Sequence, residues 1–137
     1  MPINLDRNVL ICGGAGFIGS NFVKYLRRAY PNYQIFNLDL LTYSGNRKNL
    51  LELEGGRGYE FVQGDICDKN LIQALFSAHR FDLVVNFAAE SHVDRSLRSS
   101  YDFIRTNVTG THALIETCRQ FKTERYVQIS TDEVYGD

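Results

Sequence analysis

Tryptophan is absent from this chain, methionine occurs once, and neither of the two prolines falls in a proline-rich tract that would mark a stiff linker. No apolar run approaches the roughly 18 residues needed to cross a bilayer, and no charged and then apolar leader follows Met1. Cysteine is scarce too. Cys12, Cys67 and Cys118 are odd in number and far apart, which argues against a disulfide frame or a metal site and for reduced, packed thiols. A surplus of positive charge is also missing: 15 basic residues against 16 acidic ones leave a net charge of −1, so nothing marks a nucleic-acid or anionic-membrane surface. The expectation is a soluble cytoplasmic protein with no metal, nucleic-acid or membrane partner.

What the chain does have is glycine, concentrated where it carries chemistry. The stretch V-L-I-C-G-G-A-G-F-I-G-S, Val9 to Ser20, runs from a short buried strand into Gly13, Gly14, Gly16 and Gly19 and then into an amphipathic segment. Such a turn needs residues without a Cβ so that the chain reverses, its backbone approaches a pyrophosphate, and the next helix packs close to the strand. A diphosphate would sit at the helix N-terminus, where free N–H groups and the positive end of the macrodipole meet it. Gly14, Gly16 and Gly19 make G-x-G-x-x-G, and Gly13, Gly16 and Gly19 make G-x-x-G-x-x-G. Asp39, twenty residues past Gly19 at the end of the apolar run Ile35 to Leu38, is placed to accept from an adenosine ribose hydroxyl. Asp39 would also repel a 2′-phosphate, and no Arg or Lys stands in the turn or directly after it, so NAD is favoured over NADP.

The remaining elements follow in order. Ile18, Phe22, Leu26 and Ala29 trace one apolar stripe on the first helix, which Pro31 stops. After Asp39 comes a polar loop to Asn46, a short helical stretch from Arg47 to Leu53, and a turn at Gly55, Gly56 and Gly58. A third strand, Tyr59 to Gln63, leads to Gly64, Asp65 and Ile66, and Asp68 caps a helix carrying Leu71, Ile72, Leu75 and Phe76. A fourth strand covers Leu83 to Phe87, and Glu90 to Ser100 reads as a polar loop. Ile104, Val108, Thr111, Ile115 and Cys118 then predict one helix of about five turns. The fifth strand, Arg125 to Ser130, ends at Thr131, Asp132 and Glu133.

With strand and helix alternating and strands apolar throughout, the pattern predicts a Rossmann-type α/β fold: a doubly wound parallel sheet with helices on both faces. Ligands of such sheets bind beyond the carboxyl ends of the strands, where the polar residues gather.

The motifs G-G-A-G-F-I-G, D-L-L-T-Y-S-G-N, G-D-I, A-A-E-S-H-V-D-R-S, T-N-V-T-G-T and I-S-T-D-E-V-Y-G-D occur in this order from Val9 to Asp137. In this the chain resembles the N-terminal part of the extended short-chain dehydrogenase/reductases, and among them the nucleotide-sugar 4,6-dehydratases. The resemblance implies NAD as cofactor, a nucleotide sugar (dTDP-glucose) as substrate, and a homodimer. It puts the diphosphate on Gly13, Gly16, Phe17, Ile18 and Gly19, the adenosine ribose at Asp39, Leu40, Leu41 and Thr42, and the adenine at Asp65 and Ile66. Phe87, Ala88, Ala89, Glu90, Ser91 and Thr106 line the rest of the dinucleotide. Ser91, Thr131, Asp132 and Glu133 meet the sugar, with Thr131, Asp132 and Glu133 catalytic: Glu133 as base for the C5 proton and Asp132 as acid for the departing C6 hydroxyl. On pattern alone, Asp132 and Glu133 after a strand read more often as an exposed turn or a helix start than as an acid/base pair; the resemblance reverses that.

Two residues depart from the resemblance: Cys12, where the family usually has Thr, and Leu40, where it usually has Lys. The Tyr-x-x-x-Lys pair of these enzymes is absent, since none of the eight tyrosines has Lys four residues on. Residues 1–137 are therefore expected to form an incomplete, truncated NAD-binding domain without its substrate domain, inactive by itself.

Overall fold

The first strand forms where Val9, Leu10, Ile11 and Cys12 stand in a row with two faces to bury, and all four are fully buried. In the computed structural model, which describes residues 6–131, 134 and 135, this strand is β1 (Arg7–Cys12). It lies at the centre of a five-stranded sheet with β2 (Tyr33–Asp39), β3 (Tyr59–Gln63), β4 (Leu83–Asn86) and β5 (Arg125–Gln128). All four pairings are parallel, and the order is β3-β2-β1-β4-β5. Cys12 is level with Leu38 on one side and Asn86 on the other, so the carboxyl ends align. The order reverses between β1 and β4, which opens a crevice above those ends.

Strand alternation feeds two cores. Leu10, Cys12, Phe36, Leu38 and Val84 pack on one face against Ile72 and Phe76 of α2 (Lys69–Ala78) and Leu114 and Cys118 of α5 (Thr111–Gln120). Val9, Ile11 and Ile35 pack on the other against Val23 and Leu26 of α1 (Phe17–Ala29) and Leu50 of the 3₁₀ segment Arg47–Leu53. Each such side chain contributes roughly 1.5–3 kcal/mol of transfer free energy. Asp68 caps α2 as expected, its carboxylate accepting from the N–H groups of Asn70 and Leu71. No helix among the described residues is long and apolar enough to cross a membrane.

Three sequence expectations need correction. In α1 the buried face is Gly19, Ser20, Val23 and Leu26, while Ile18 and Ala29 are exposed, because the helix approaches the sheet on its small residues. Glu90 to Ser100 is no simple loop: it holds α3 (Val93–Arg98), and α4 (Ser100–Phe103) follows. The single five-turn helix is instead α4, a π-helix (Ile104–Gly110) and α5 in succession. Ala113, Leu114, Thr117 and Cys118 face its core, and Ile104, Val108 and Ile115 point outward. Small residues toward the sheet again allow the closer approach.

Candidate functional site

The glycine turn joins the ends of three strands. Gly13 has φ +76° and donates its N–H to Leu38 O at 2.8 Å; a Cβ there would lie 2.6 Å from Ala88 N, just beyond β4. Gly19 sits beneath the turn, where a Cβ would come within 2.3 Å of Gly13 O. Gly16 is the N-cap of α1 in extended backbone, gives no side-chain cap, and no acidic residue stands in the first turn. The first bond back to the cap is Ser20 N–H to Gly16 O at 2.9 Å, so the amides of Phe17 to Gly19 precede it. This helix start is built for an anion.

Asp39, almost fully buried, organises the adjoining wall. Its Oδ2 accepts from Ala15 N–H at 2.9 Å and its Oδ1 from Leu41 N–H at 2.8 Å. Leu41 is held at φ +59°, and Asn46 N–H donates to Ala15 O at 3.0 Å, which closes the loop back on the glycine turn. A carboxylate oxygen has more than one lone pair, so each Asp39 oxygen keeps capacity for a hydroxyl.

The next strand end carries Asp65. Its Oδ1 accepts from Cys67 N–H at 2.8 Å, and its Oδ2 pairs with Arg105 Nη2 at 2.5 Å. Burial pushes the Asp65 carboxyl up, but the Cys67 N–H and the Arg105 guanidinium outweigh it and hold the group below its ordinary value. The β4 end is tied by two asparagines. Asn86 Oδ1 accepts from Ala88 N–H at 3.0 Å, and Asn107 clasps Glu90 through both its backbone N–H and O at 2.8 Å each. Across the mouth, Tyr43 OH meets Glu90 Oε2 at 3.3 Å and the Tyr43 ring lies 5.4 Å from His92.

These walls enclose about 420 Å³. Of the residues expected from sequence, Gly13, Gly16, Asp39, Leu40, Thr42, Asp65, Ile66, Phe87, Ala88, Ala89, Glu90 and Thr106 line the crevice. Phe17, Ile18, Gly19, Leu41 and Ser91 are not among its lining residues: Phe17 and Ile18 project at the helix start, 83% and 64% exposed, and Ser91 is exposed on its loop. Thr131 is half-buried beyond β5, where Ile129 N–H bonds Asn86 O at 3.0 Å. Asp132 and Glu133 lie outside the described residues. Tyr43, Ser44, Gly45, Gly64, Asp102 and Arg105 also line the crevice and were missed. The first four lie inside motifs already read, D-L-L-T-Y-S-G-N and G-D-I. Asp102 and Arg105 carried no signal, because charged positions on an amphipathic helix ordinarily face water.

The donor set fits an extended dinucleotide: free amides for a diphosphate at α1, a buried carboxylate for a ribose diol at β2, and an acceptor for an amine at β3.

Comparison with known proteins agrees with this geometry. The chain is 43% identical over 136 residues to a human dTDP-D-glucose 4,6-dehydratase, covering 99% of this chain and 39% of that protein. A crystal structure of a dTDP-glucose 4,6-dehydratase from Streptomyces venezuelae with NAD and TYD bound superposes with a TM-score of 0.87 at 45% identity, covering 95% of this chain and 41% of that one. The UDP-Glc/GlcNAc 4-epimerase of Campylobacter jejuni follows at a TM-score of 0.86 and 32% identity, covering 95% and 39%. The chain thus spans about two fifths of the length of these relatives. The family model described as GDP-mannose 4,6 dehydratase matches residues 10–137, and with that match over most of its length the chain belongs to this family.

Proposed function

We propose that this chain forms the dinucleotide-binding part of an NAD-dependent nucleotide-sugar 4,6-dehydratase that converts dTDP-glucose to its 4-keto-6-deoxy product. One observation carries the reading: the uncapped start of α1 and the buried Asp39 meet in one crevice, in a chain more similar to dTDP-glucose dehydratases than to the epimerase of the same fold. Gly13, Gly16, Phe17, Ile18 and Gly19 hold the diphosphate. Asp39 to Thr42 hold the adenosine ribose, Asp65 and Ile66 the adenine, and Phe87 to Ser91 with Thr106 the remainder. Bound NAD supplies hydride acceptance at C4 and hydride return at C6 of the sugar.

The chain's own residues do the proton work of the elimination step. A ketone at C4 acidifies the C5 proton, and loss of water across C5 and C6 then needs one base and one acid. Glu133 takes the C5 proton, Asp132 gives a proton to the departing C6 hydroxyl, and Thr131 and Ser91 hold the sugar. Two neighbouring carboxyl groups suit this division, since like charge keeps one of them protonated. A further stretch of polypeptide supplies the base for the C4 hydroxyl and the substrate domain, which accords with the two-fifths coverage of the relatives. The enzyme works in the cytoplasm as a homodimer; the outward apolar row Ile104, Val108 and Ile115 supports the second copy.

The test is product analysis with the full-length polypeptide that contains this chain, given dTDP-glucose and NAD⁺. A 4-keto-6-deoxyhexose nucleotide is expected, and a 4-epimer would replace this reading with that of an epimerase. Glu133→Gln should lower dehydration by about 10²- to 10⁴-fold, the usual share of a general base, and abolish solvent deuterium uptake at C5. Normal uptake in that variant would exclude Glu133 as the base.

A further inference from the structure

The β3 end of the crevice contains a closed ring of interactions that the dinucleotide reading does not require. Arg105 Nη2 binds Asp65 Oδ2 at 2.5 Å, Cys67 N–H donates to Asp65 Oδ1 at 2.8 Å, and Cys67 Sγ–H donates to Arg105 O at 3.1 Å. The same helix locks the loop from below: a Cβ on Gly110 would lie 2.6 Å from Ile66 Cδ1 and 3.1 Å from Cys67 Sγ. An exposed ion pair contributes little by itself. Here the Asp65 side chain is only 17% exposed, and both partners line the crevice.

The local helix geometry explains how Arg105 reaches this place. Residues Ile104–Gly110 are a π-helix, a wider turn that recurs at functional sites. It turns three consecutive residues toward the crevice loops: Arg105 to Asp65, Thr106 into the lining, and Asn107 to Glu90. Other charged or titratable groups around this end are Asp102, on the same wall, Tyr101 beside Arg105, and Asp39 on the neighbouring strand.

We propose that Arg105 is a positioning residue: it fixes the Asp65 carboxylate as an acceptor and makes this end of the crevice select a purine that carries an exocyclic amine. The inference rests on the dinucleotide reading given above. A carboxylate tied down by two donors cannot rotate away, and it offers only lone pairs. A ring amine meets it as a donor. A ring carbonyl in the same place would set acceptor against acceptor, with one of them left unpaired.

The experiment is calorimetric titration of the full-length polypeptide that contains this chain with NAD⁺ and with nicotinamide hypoxanthine dinucleotide, in which a carbonyl replaces the adenine amine. The wild-type chain should prefer NAD⁺ by roughly tenfold or more. Arg105→Met, which keeps the apolar stem, should bring the two ligands within about threefold by weakening NAD⁺, and Arg105→Lys should restore part of the preference. In parallel, the Asp65 carboxyl titration followed by ¹³C NMR should move to higher pH in Arg105→Met, since the paired cation is lost; the selective fall in NAD⁺ affinity against the hypoxanthine ligand is the readout that a purely structural role would not move. Full preference retained in a folded Arg105→Met overturns the proposal. So does an ordinary wild-type Asp65 midpoint, which decides the matter even if that variant does not fold. Equal wild-type binding of both ligands overturns this inference alone, whereas no binding of either overturns the dinucleotide reading and this inference with it.

Discussion

At the scale of single residues, close approach dominates. Gly19 lies where a Cβ would come 2.3 Å from Gly13 O and 2.8 Å from Gly14 Cα, both backbone atoms that cannot rotate aside. Gly19→Ala must push α1 off the turn, at a cost of about 1–3 kcal/mol. It also displaces the amides of the proposed diphosphate site. Thermal denaturation should report the lost stability and titration a weaker NAD⁺ complex; unchanged values in both would show that the turn tolerates a Cβ.

Asp65 gives a second residue-scale prediction, with a sign. Its folded carboxyl lies below the ordinary value of 3.8, so the unfolded state binds its proton first as pH falls. Its stabilising contribution is complete above the unfolded value and is lost as pH drops through the folded one. Urea unfolding at pH 7 and pH 3 should therefore show a larger acid loss in the wild-type chain than in Asp65→Asn. Equal losses would contradict the assignment.

Cys12 illustrates a residue whose place explains its silence. It is fully buried between Leu38 and Asn86, and burial pushes its thiol far up, as it raises Cys118 to about 11. Both therefore behave as packed apolar groups, as their scarcity and spacing suggested.

At the scale of elements, strands were more legible than helix faces. Short, nearly continuous apolar runs have one economical fate in a parallel sheet, so Val9 to Cys12 could be read directly, and the run Leu83 to Phe87, broken by Asn86, was read as a strand that ends one residue earlier, at Asn86. The Asp68 cap was legible for a similar reason, since a short acceptor before an amphipathic run has one geometric use. The helix stripes misled because apolar residues do not always face inward. Ile104, Val108 and Ile115 obey helical spacing yet point to solvent, while Gly110, Ala113 and Thr117 take the core side. Small residues carry little hydrophobic signal and gain their place by permitting contact. The same limit hid Asp102 and Arg105 from the site, because the π-helix that turns Arg105 inward leaves no mark in a pattern of period 3.6. The crevice residues contributed by loops were legible in proportion to their glycines and strand-end acids.

At the scale of the whole molecule, the exposed row along α4, the π-helix and α5 makes a prediction about association. Tyr101, Ile104, Val108 and Ile115 are 71%, 57%, 61% and 44% exposed, a concentration of apolar surface that favours a second copy. Among the described residues β5 also bonds only to β4, which leaves one edge open to pairing. Sedimentation velocity should show the chain self-associating. Val108→Glu should shift it toward monomer without loss of secondary structure, because the side chain packs on no core. A wild-type monomer at high concentration would remove the homodimer from the proposal.

We propose that the crevice at the β1–β4 reversal holds NAD, with the diphosphate on α1 and the ribose on Asp39. On that proposal the buried carboxylate repels a 2′-phosphate by charge, and the lining residues beside it, Leu40, Thr42, Tyr43 and Ser44, carry no cationic side chain. Comparative titration of the wild-type chain with NAD⁺ and NADP⁺ tests this most directly. The account predicts NAD⁺ bound more tightly by roughly an order of magnitude or more, the effect of one uncompensated charge pair; NADP⁺ bound as tightly as NAD⁺, or more tightly, would contradict it.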